Sequence, residues 1–198
     1  MDRSNHYEAA FEAYLRHHGL CYLAVDEAKR ASWGGEAIKS LDFIVHGPNG
    51  EQLLVDVKGR RFPMGPPHRP RRVWECWSTR DDIAGLERWT ALFGPGYRGL
   101  LVFVYHLSGD VLLPEGAEDH WLWNGRRYLF RAIPVVDYRR QMRVRSPRWG
   151  TVTLPGAVYR ALARPFRDFA WEAARAGNLT GDLPEAVEQA EPSGRWLP

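Results

Sequence analysis

"LLVDVKGRRF", residues 53–62, decides how this chain is read. Three apolar residues run into Asp56, Val57 and Lys58, and a glycine and two arginines follow. Successive strand residues face opposite sides, so Leu54, Asp56 and Lys58 share one face. Just upstream, "LDFIVH" (41–46) reads as another strand, and the "GPNG" between them (47–50) is a turn signal, so the two form an antiparallel hairpin. Centred on Asn49, its register opposes Asp42 to Asp56. Opposed residues have Cα atoms about 4.5–5.5 Å apart, and two like charges held there repel.

A divalent cation removes that objection. Mg²⁺, or Mn²⁺ in its place, takes oxygen ligands, and two carboxylates with waters and a phosphate oxygen supply them. Lys58 lies two residues along the same face, where it can hold a phosphate and stabilise growing negative charge, while the cation lowers the pKa of a bound water. The chain has three lysines among its 27 cationic residues, so a lysine here is a mild compositional surprise.

Outward from this hairpin, Ser4 or Asn5 caps a helix to about His18, closed by Gly19, with Tyr7, Ala10, Phe11, Tyr14 and Leu15 as its apolar stripe. Glu8 lies at the edge of that stripe and can reach the site directly or through water. Glu12 sits further toward solvent, as a surface acid or a substitute for Glu8, and His6 is off the stripe as a surface or substrate-contacting residue. "LCYLAVDE" (20–27) reads as a first strand, "SWGGEAIK" (32–39) as a loop and "VWECW" (73–77) as a short strand. Residues 78–94 read as a capped helix and 98–107 as a buried strand. "WLWNGRRYLFRAIPV" (121–135) reads as a hairpin about Asn124-Gly125, and 154–177 as helix interrupted near Pro165. "GPGYRG" (94–99) follows a helix and precedes a strand, the reverse of a dinucleotide fingerprint, and is a turn.

These residues carry a resemblance. A helix-borne Glu, an Asp opening a strand and then Asp-Val-Lys on the next resembles the PD-(D/E)XK nuclease superfamily, which includes restriction endonucleases and archaeal Holliday-junction resolvases. The resemblance implies an α/β (α+β) restriction-endonuclease-like core, helix–three strands–helix–strand around a mixed sheet, with a C-terminal β-hairpin and helical extension. It also implies Glu8, Asp42, Asp56 and Lys58 as the catalytic set, with Asp42, Asp56, Glu8 and Val57 holding the metal. "HYEAAFE" (6–12) is similar to the motif of the bacterial HYExAFE family. Leu41 stands where relatives carry a proline, and the second-helix glutamine or lysine of some relatives has no clear counterpart, Arg80 or Asp82 being the nearest polar candidates. The expected layout is a nuclease-like core at 1–110, an extension packed on the same domain at 111–177 and an acidic tail at 178–198.

Charge adds a partner. Residues 58–80 hold one lysine and six arginines against Glu75, and 126–148 hold eight arginines against Asp137, in a chain of net charge +3. Such blocks suit a polyanion. Arg60, Arg61, Arg69, Arg71, Arg72 and Arg80 are expected to grip nucleic acid. Trp74 and Trp77 either stack bases or pack on the sheet, and packing is the commoner fate. Cys21 and Cys76 fit no metal spacing and are read as buried, reduced thiols of a cytoplasmic protein. The N-terminus has no signal-peptide pattern, and no apolar run reaches membrane-spanning length. The expectation is thus a Mg²⁺-dependent nuclease acting on DNA, in structure-selective cleavage, repair or restriction, with a homodimer left open. A non-catalytic nucleic-acid-binding module and an α/β ligand- or partner-binding domain are the alternatives. Asp56→Asn and Lys58→Ala are both expected to raise stability without metal by thinning a charge cluster.

Overall fold

The computed structural model describes residues 5–25, 31–33, 36–66, 68–109 and 120–172. Helix α1 spans His6–His17. The Asn5 side chain caps it by accepting the Tyr7 N–H at 3.1 Å, and Glu8 in the first turn with Arg16 and His17 in the last complement its dipole. Ala10, Phe11, Tyr14 and Leu15 are buried, the stripe read from the sequence.

Strand β1 (Cys21–Ala24) leads to β2 (Ala31–Trp33) and β3 (Glu36–Ile38), which pair with each other as an antiparallel ribbon. Residues 32–39 are therefore not simply a loop. Strands β4 (Phe43–His46) and β5 (Gln52–Phe62) form the hairpin, with Phe43 opposite Val55 and His46 opposite Gln52. That is the register centred on Asn49. Strand β5 runs past Lys58 because β7 (Tyr97–Leu107) pairs with it in parallel along its whole length, from Gln52–Tyr97 to Phe62–Leu107. Between them lie β6 (Ser78–Thr79) and helix α2 (Arg80–Phe93). Residues 73–77 form no strand. They dock instead through side chain and backbone: Trp74 stacks on Phe62 at 3.8 Å, and the Cys76 carbonyl accepts the Tyr138 O–H at 2.6 Å.

The hairpin β8 (Trp121–Trp123) and β9 (Arg126–Pro134) turns at Asn124 and Gly125, both at positive φ as a tight primed turn requires. Helix α3 (Val135–Gln141), β10 (Arg143–Ser146), β11 (Thr151–Thr153), α4 (Gly156–Leu162), β12 (Arg164–Pro165) and α5 (Phe166–Ala170) complete the described chain. Residues 135–153 carry no clear signal in the sequence, because their elements are too short to show a period. The expected acidic tail lies outside the described residues.

The main sheet runs β1-β4-β5-β7-β9-β12, with β8 on β9, and only its β5–β7 pairing is parallel. Helices cover both faces. On one, α1 and α5 bring Phe11, Phe166 and Phe169 against Phe43, Val55, Val57 and Val102. On the other, Ile83 and Leu86 of α2, Tyr138 of α3 and Tyr159 of α4 pack on Leu54, Leu101, Phe103 and Tyr105. This is the mixed α/β architecture expected, a mixed sheet with helices on both faces. A separate sheet, β10-β11-β6, flanks the start of α2. Among the described residues no helix is long and apolar enough to cross a membrane.

Candidate active site

Asp56 and Lys58 point to the α2 face of β5, on the side of Leu54, and Asp56 is only 5% exposed. Asp42 is 3% exposed and sits just before β4. Strict alternation would put Leu41 and Phe43 on one face, yet they belong to opposite core layers, so the chain bends at Asp42. The hairpin register is the expected one, but Asp42 leaves the ladder. Its N–H donates to the Val55 carbonyl at 2.9 Å, and its Oδ2 accepts the Val57 N–H at 2.6 Å. The carboxylate thus ends on the backbone edge between Asp56 and Lys58.

Burial first, then the charge of Asp56, pushes the Asp42 carboxyl well above the usual range. The Val57 N–H opposes this, and the Glu8 charge adds to it. Glu8 of α1 is thus near enough for its charge to act on Asp42. Burial raises the Asp56 carboxyl to about 6 against the pull of Lys58, with the Asp82 charge also raising it. The two acids are buried with too little opposing charge, which is the condition a cation relieves.

Lys58 bridges two carboxylates. Its Nζ lies 3.0 Å from Asp56 Oδ1 and 2.7 Å from Asp56 Oδ2, and 3.1 Å from Asp82 Oδ2. The ion pair to Asp56 Oδ2 lacks hydrogen-bond alignment, so that oxygen has no hydrogen-bond donor. Burial pulls the Lys58 pKa down, but Asp56 and Asp82 outweigh it and leave the ammonium firmly charged.

Asp82 is the residue the sequence signals least. It is the third residue of α2 and closes a capping box: it accepts the Thr79 N–H while its own N–H donates to Thr79 Oγ1, both at 3.0 Å. It also accepts the Ser78 hydroxyl at 3.0 Å and pairs with Lys39 at 3.9 Å. Burial pushes its carboxyl up, but Lys58 and the Thr79 hydrogen bonds hold it below the usual range. In the sequence, "STRDD" signals only a helix cap. Arg80, the other polar candidate on α2, is exposed.

A cleft of about 540 Å³ opens over Lys58 and Asp82, between Tyr7 of α1, Val57 to Arg60 of β5, Trp77, and Thr79 and Asp82 at the start of α2, and the buried Asp42 and Asp56 do not line it. Gly59 lets α1 approach: a Cβ there would lie 2.2 Å from the Tyr7 ring. His6 is half-buried, its Nδ1 2.9 Å from Tyr128 Oη and its ring beside His106, and not simply a surface residue. Glu12 stays out of the site and pairs with Arg16 at 3.2 Å.

The basic loop divides. Arg60 is half-buried, donates to the carbonyls of Gly59 (2.6 Å) and Trp77, and lies 4.0 Å above the Trp77 ring. It clips β5 to the segment before β6. Arg61, Arg69, Arg71 and Arg72 are exposed. Trp74 packs on the sheet, whereas Trp77 walls the cleft. Cys76 is buried as expected, but Cys21 is exposed because the β1 burial pattern turns its side chain outward.

Among the described residues no group of three or more His, Cys, Asp or Glu side chains is arranged to hold a metal. What the site offers is sparser: the Asp42 and Asp56 carboxylates and the backbone at Val57. A residue's N–H and C=O project to the same edge of a strand, so the Val57 carbonyl leaves β5 on the side where Asp42 sits. Two carboxylates and a carbonyl, with water, fit Mg²⁺, which keeps much of its hydration and seldom needs an all-protein cage.

No protein-family model and no curated protein matches this chain. Among solved structures it is similar to a Holliday junction resolvase from Archaeoglobus fulgidus, an archaeal hyperthermophile, with a TM-score of 0.48 and 14% identity over 83% of this chain and 98% of that one.

Proposed function

We propose that this protein is a cytoplasmic, Mg²⁺- or Mn²⁺-dependent nuclease that hydrolyses phosphodiesters in DNA, of the HYExAFE type within the PD-(D/E)XK superfamily. The observation that carries the reading is the buried Asp42–Asp56 pair, each acid raised by burial and neighbouring negative charge, lying behind Lys58, which with Val57 and Asp82 lines the cleft. Asp42, Asp56 and the Val57 carbonyl would hold the cation, and Glu8 would orient its water. A cation bound there activates water and polarises a phosphate oxygen. Lys58 stabilises the charge that grows on the phosphate, and Asp82 keeps its ammonium aimed into the cleft.

The test is a panel of branched, nicked, single-stranded and duplex DNA, with RNA counterparts, incubated with Mg²⁺ or Mn²⁺ and with EDTA. Metal-dependent cutting of a DNA form, abolished in Asp56→Asn, is the expected outcome. If every substrate survives, or if Asp56→Asn and Lys58→Ala cut like the wild type, the catalytic reading is wrong.

One observation favours a second reading, a non-catalytic nucleic-acid-binding module. Lys58 already spans both Asp56 oxygens, so the acids are partly neutralised without metal. Salt-sensitive DNA binding with no cleavage and no metal uptake would select it.

A further inference from the structure

The hairpin of β10 and β11 is unlike the rest of the surface. From Arg143 to Gly150 it reads "RVRSPRWG", with three arginines, no acid and one tryptophan. Trp149 is 70% exposed at its turn, and Val144 is 51% exposed on β10. The Arg148 guanidinium lies 5.3 Å over the Trp149 ring, so a cation and an aromatic face are presented together.

The hairpin is fixed to the rim of the cleft by backbone. Strand β11 pairs with β6, Thr151 opposite Thr79 and Val152 opposite Ser78, and the Arg80 N–H donates to the Gly150 carbonyl at 2.9 Å. The turn therefore rests on the start of α2, two residues from Asp82. Arg145 reaches back over the Trp77 ring at 5.1 Å and pairs with Glu75 at 3.6 Å, and Trp77 walls the cleft. An apolar partner would not call for three guanidinium groups, and a bare phosphate patch would not call for an exposed indole. Arginines for phosphates and an aromatic face for bases is the combination that unpaired nucleic acid selects.

We infer that residues 143–150 form a DNA-gripping finger that takes an unpaired stretch of the strand leading into the cleft, with Trp149 stacking on a base and Arg143, Arg145 and Arg148 on phosphates. The inference rests on the nuclease reading only for what occupies the cleft.

The experiment measures fluorescence anisotropy of labelled single-stranded and duplex DNA in EDTA across a salt series. Trp149→Ala should weaken single-strand binding about 5- to 100-fold and leave the salt slope alone. The Arg143→Ala, Arg145→Ala, Arg148→Ala triple variant should flatten the single-strand slope by about 0.7 for each phosphate no longer neutralised. A control that removes similar charge elsewhere, Arg160→Ala with Arg167→Ala, should retain the stacking contribution. Circular dichroism and thermal melts verify that each variant is folded. Wild-type binding by both finger variants overturns the finger, even if the protein cuts DNA. So does loss of a Trp149-dependent dimer in sedimentation with DNA affinity unchanged, which would make the patch a protein interface. Impaired single-strand binding in the finger variants supports it, even if no variant and no wild type cleaves anything.

Discussion

At Lys58 a single ammonium sits between Asp56 and Asp82, with the Asp42 carboxylate on the β5 edge at the Val57 N–H. This decides how the two most informative substitutions behave without metal. The Asp56 carboxyl is raised to about 6, above its ordinary unfolded value of about 3.9. The native state therefore holds the proton more tightly, and ionising Asp56 costs stability as pH rises from about 4 through about 6. Asp56→Asn should be more stable than the wild type by a few kcal/mol at pH 7 to 8 in EDTA, the two converging near pH 4. Urea unfolding across pH reads this, and a gap that widens on acidification would contradict it. Lys58→Ala should go the other way, contrary to the expectation from sequence. Removing the cation leaves two buried carboxylates facing each other, a destabilisation of about 3–5 kcal/mol at neutral pH. The sequence places Asp56 and Lys58 on one face correctly. It cannot show that the ammonium has a second carboxylate, because that acid lies on another element.

Helix α2 brings that second acid, and its cap is where local structure and chemistry meet. The same Asp82 Oδ2 that accepts the Thr79 N–H also touches Lys58. Asp82→Asn can keep the capping hydrogen bond through its amide oxygen but removes the charge, so Lys58 rests on Asp56 alone. An ammonium held there competes with a cation for the same oxygens. Mn²⁺ affinity, read by calorimetry or electron paramagnetic resonance, should fall about tenfold, the worth of one charge-assisted hydrogen bond. In a Lys58→Ala background the same substitution should leave affinity unchanged, and an equal fall there would make Asp82 a ligand in its own right. Strong local signals carry most elements: the Asn5 cap, the Asn49 turn, the Asn124-Gly125 turn and the continuous apolar run of β7. The departures share one physical cause. β5 extends to Phe62 and residues 73–77 stay irregular because pairing with β7 and docking of Trp74 are tertiary effects that no window of sequence contains.

Over the whole molecule, positive charge serves two ends that composition cannot separate. Arg60 is consumed by the Gly59 and Trp77 carbonyls, while Arg61, Arg69, Arg71 and Arg72 stand exposed beyond it. Replacing those four with alanine should flatten the salt dependence of duplex DNA binding by about 0.9 for each phosphate no longer neutralised, and leave the melting temperature nearly unchanged. Arg60→Ala should instead lower the melting temperature. Unchanged binding by the fourfold variant would remove the loop from the nucleic-acid surface. Fold and site are legible in the sequence to different depths for the same reason. Periodicity marks which face of an element is buried, as on α1. Only assembly reveals which charges meet, as Asp56 and Asp82 do at Lys58.

The parallel pairing of β5 with β7 has a consequence for how the protein comes to exist. Every partner in that ladder is forty-five residues away along the chain. The β4–β5 hairpin can close early, because its ends are near in sequence. The α2 cap is local, but Asp82 is held against Lys58 only as this distant ladder zips, and closing so long a loop is slow. On the ribosome the chain therefore carries Asp42 and Asp56 well before it can aim Lys58. A half-made copy holds the two carboxylates without the ammonium fixed between Asp56 and Asp82.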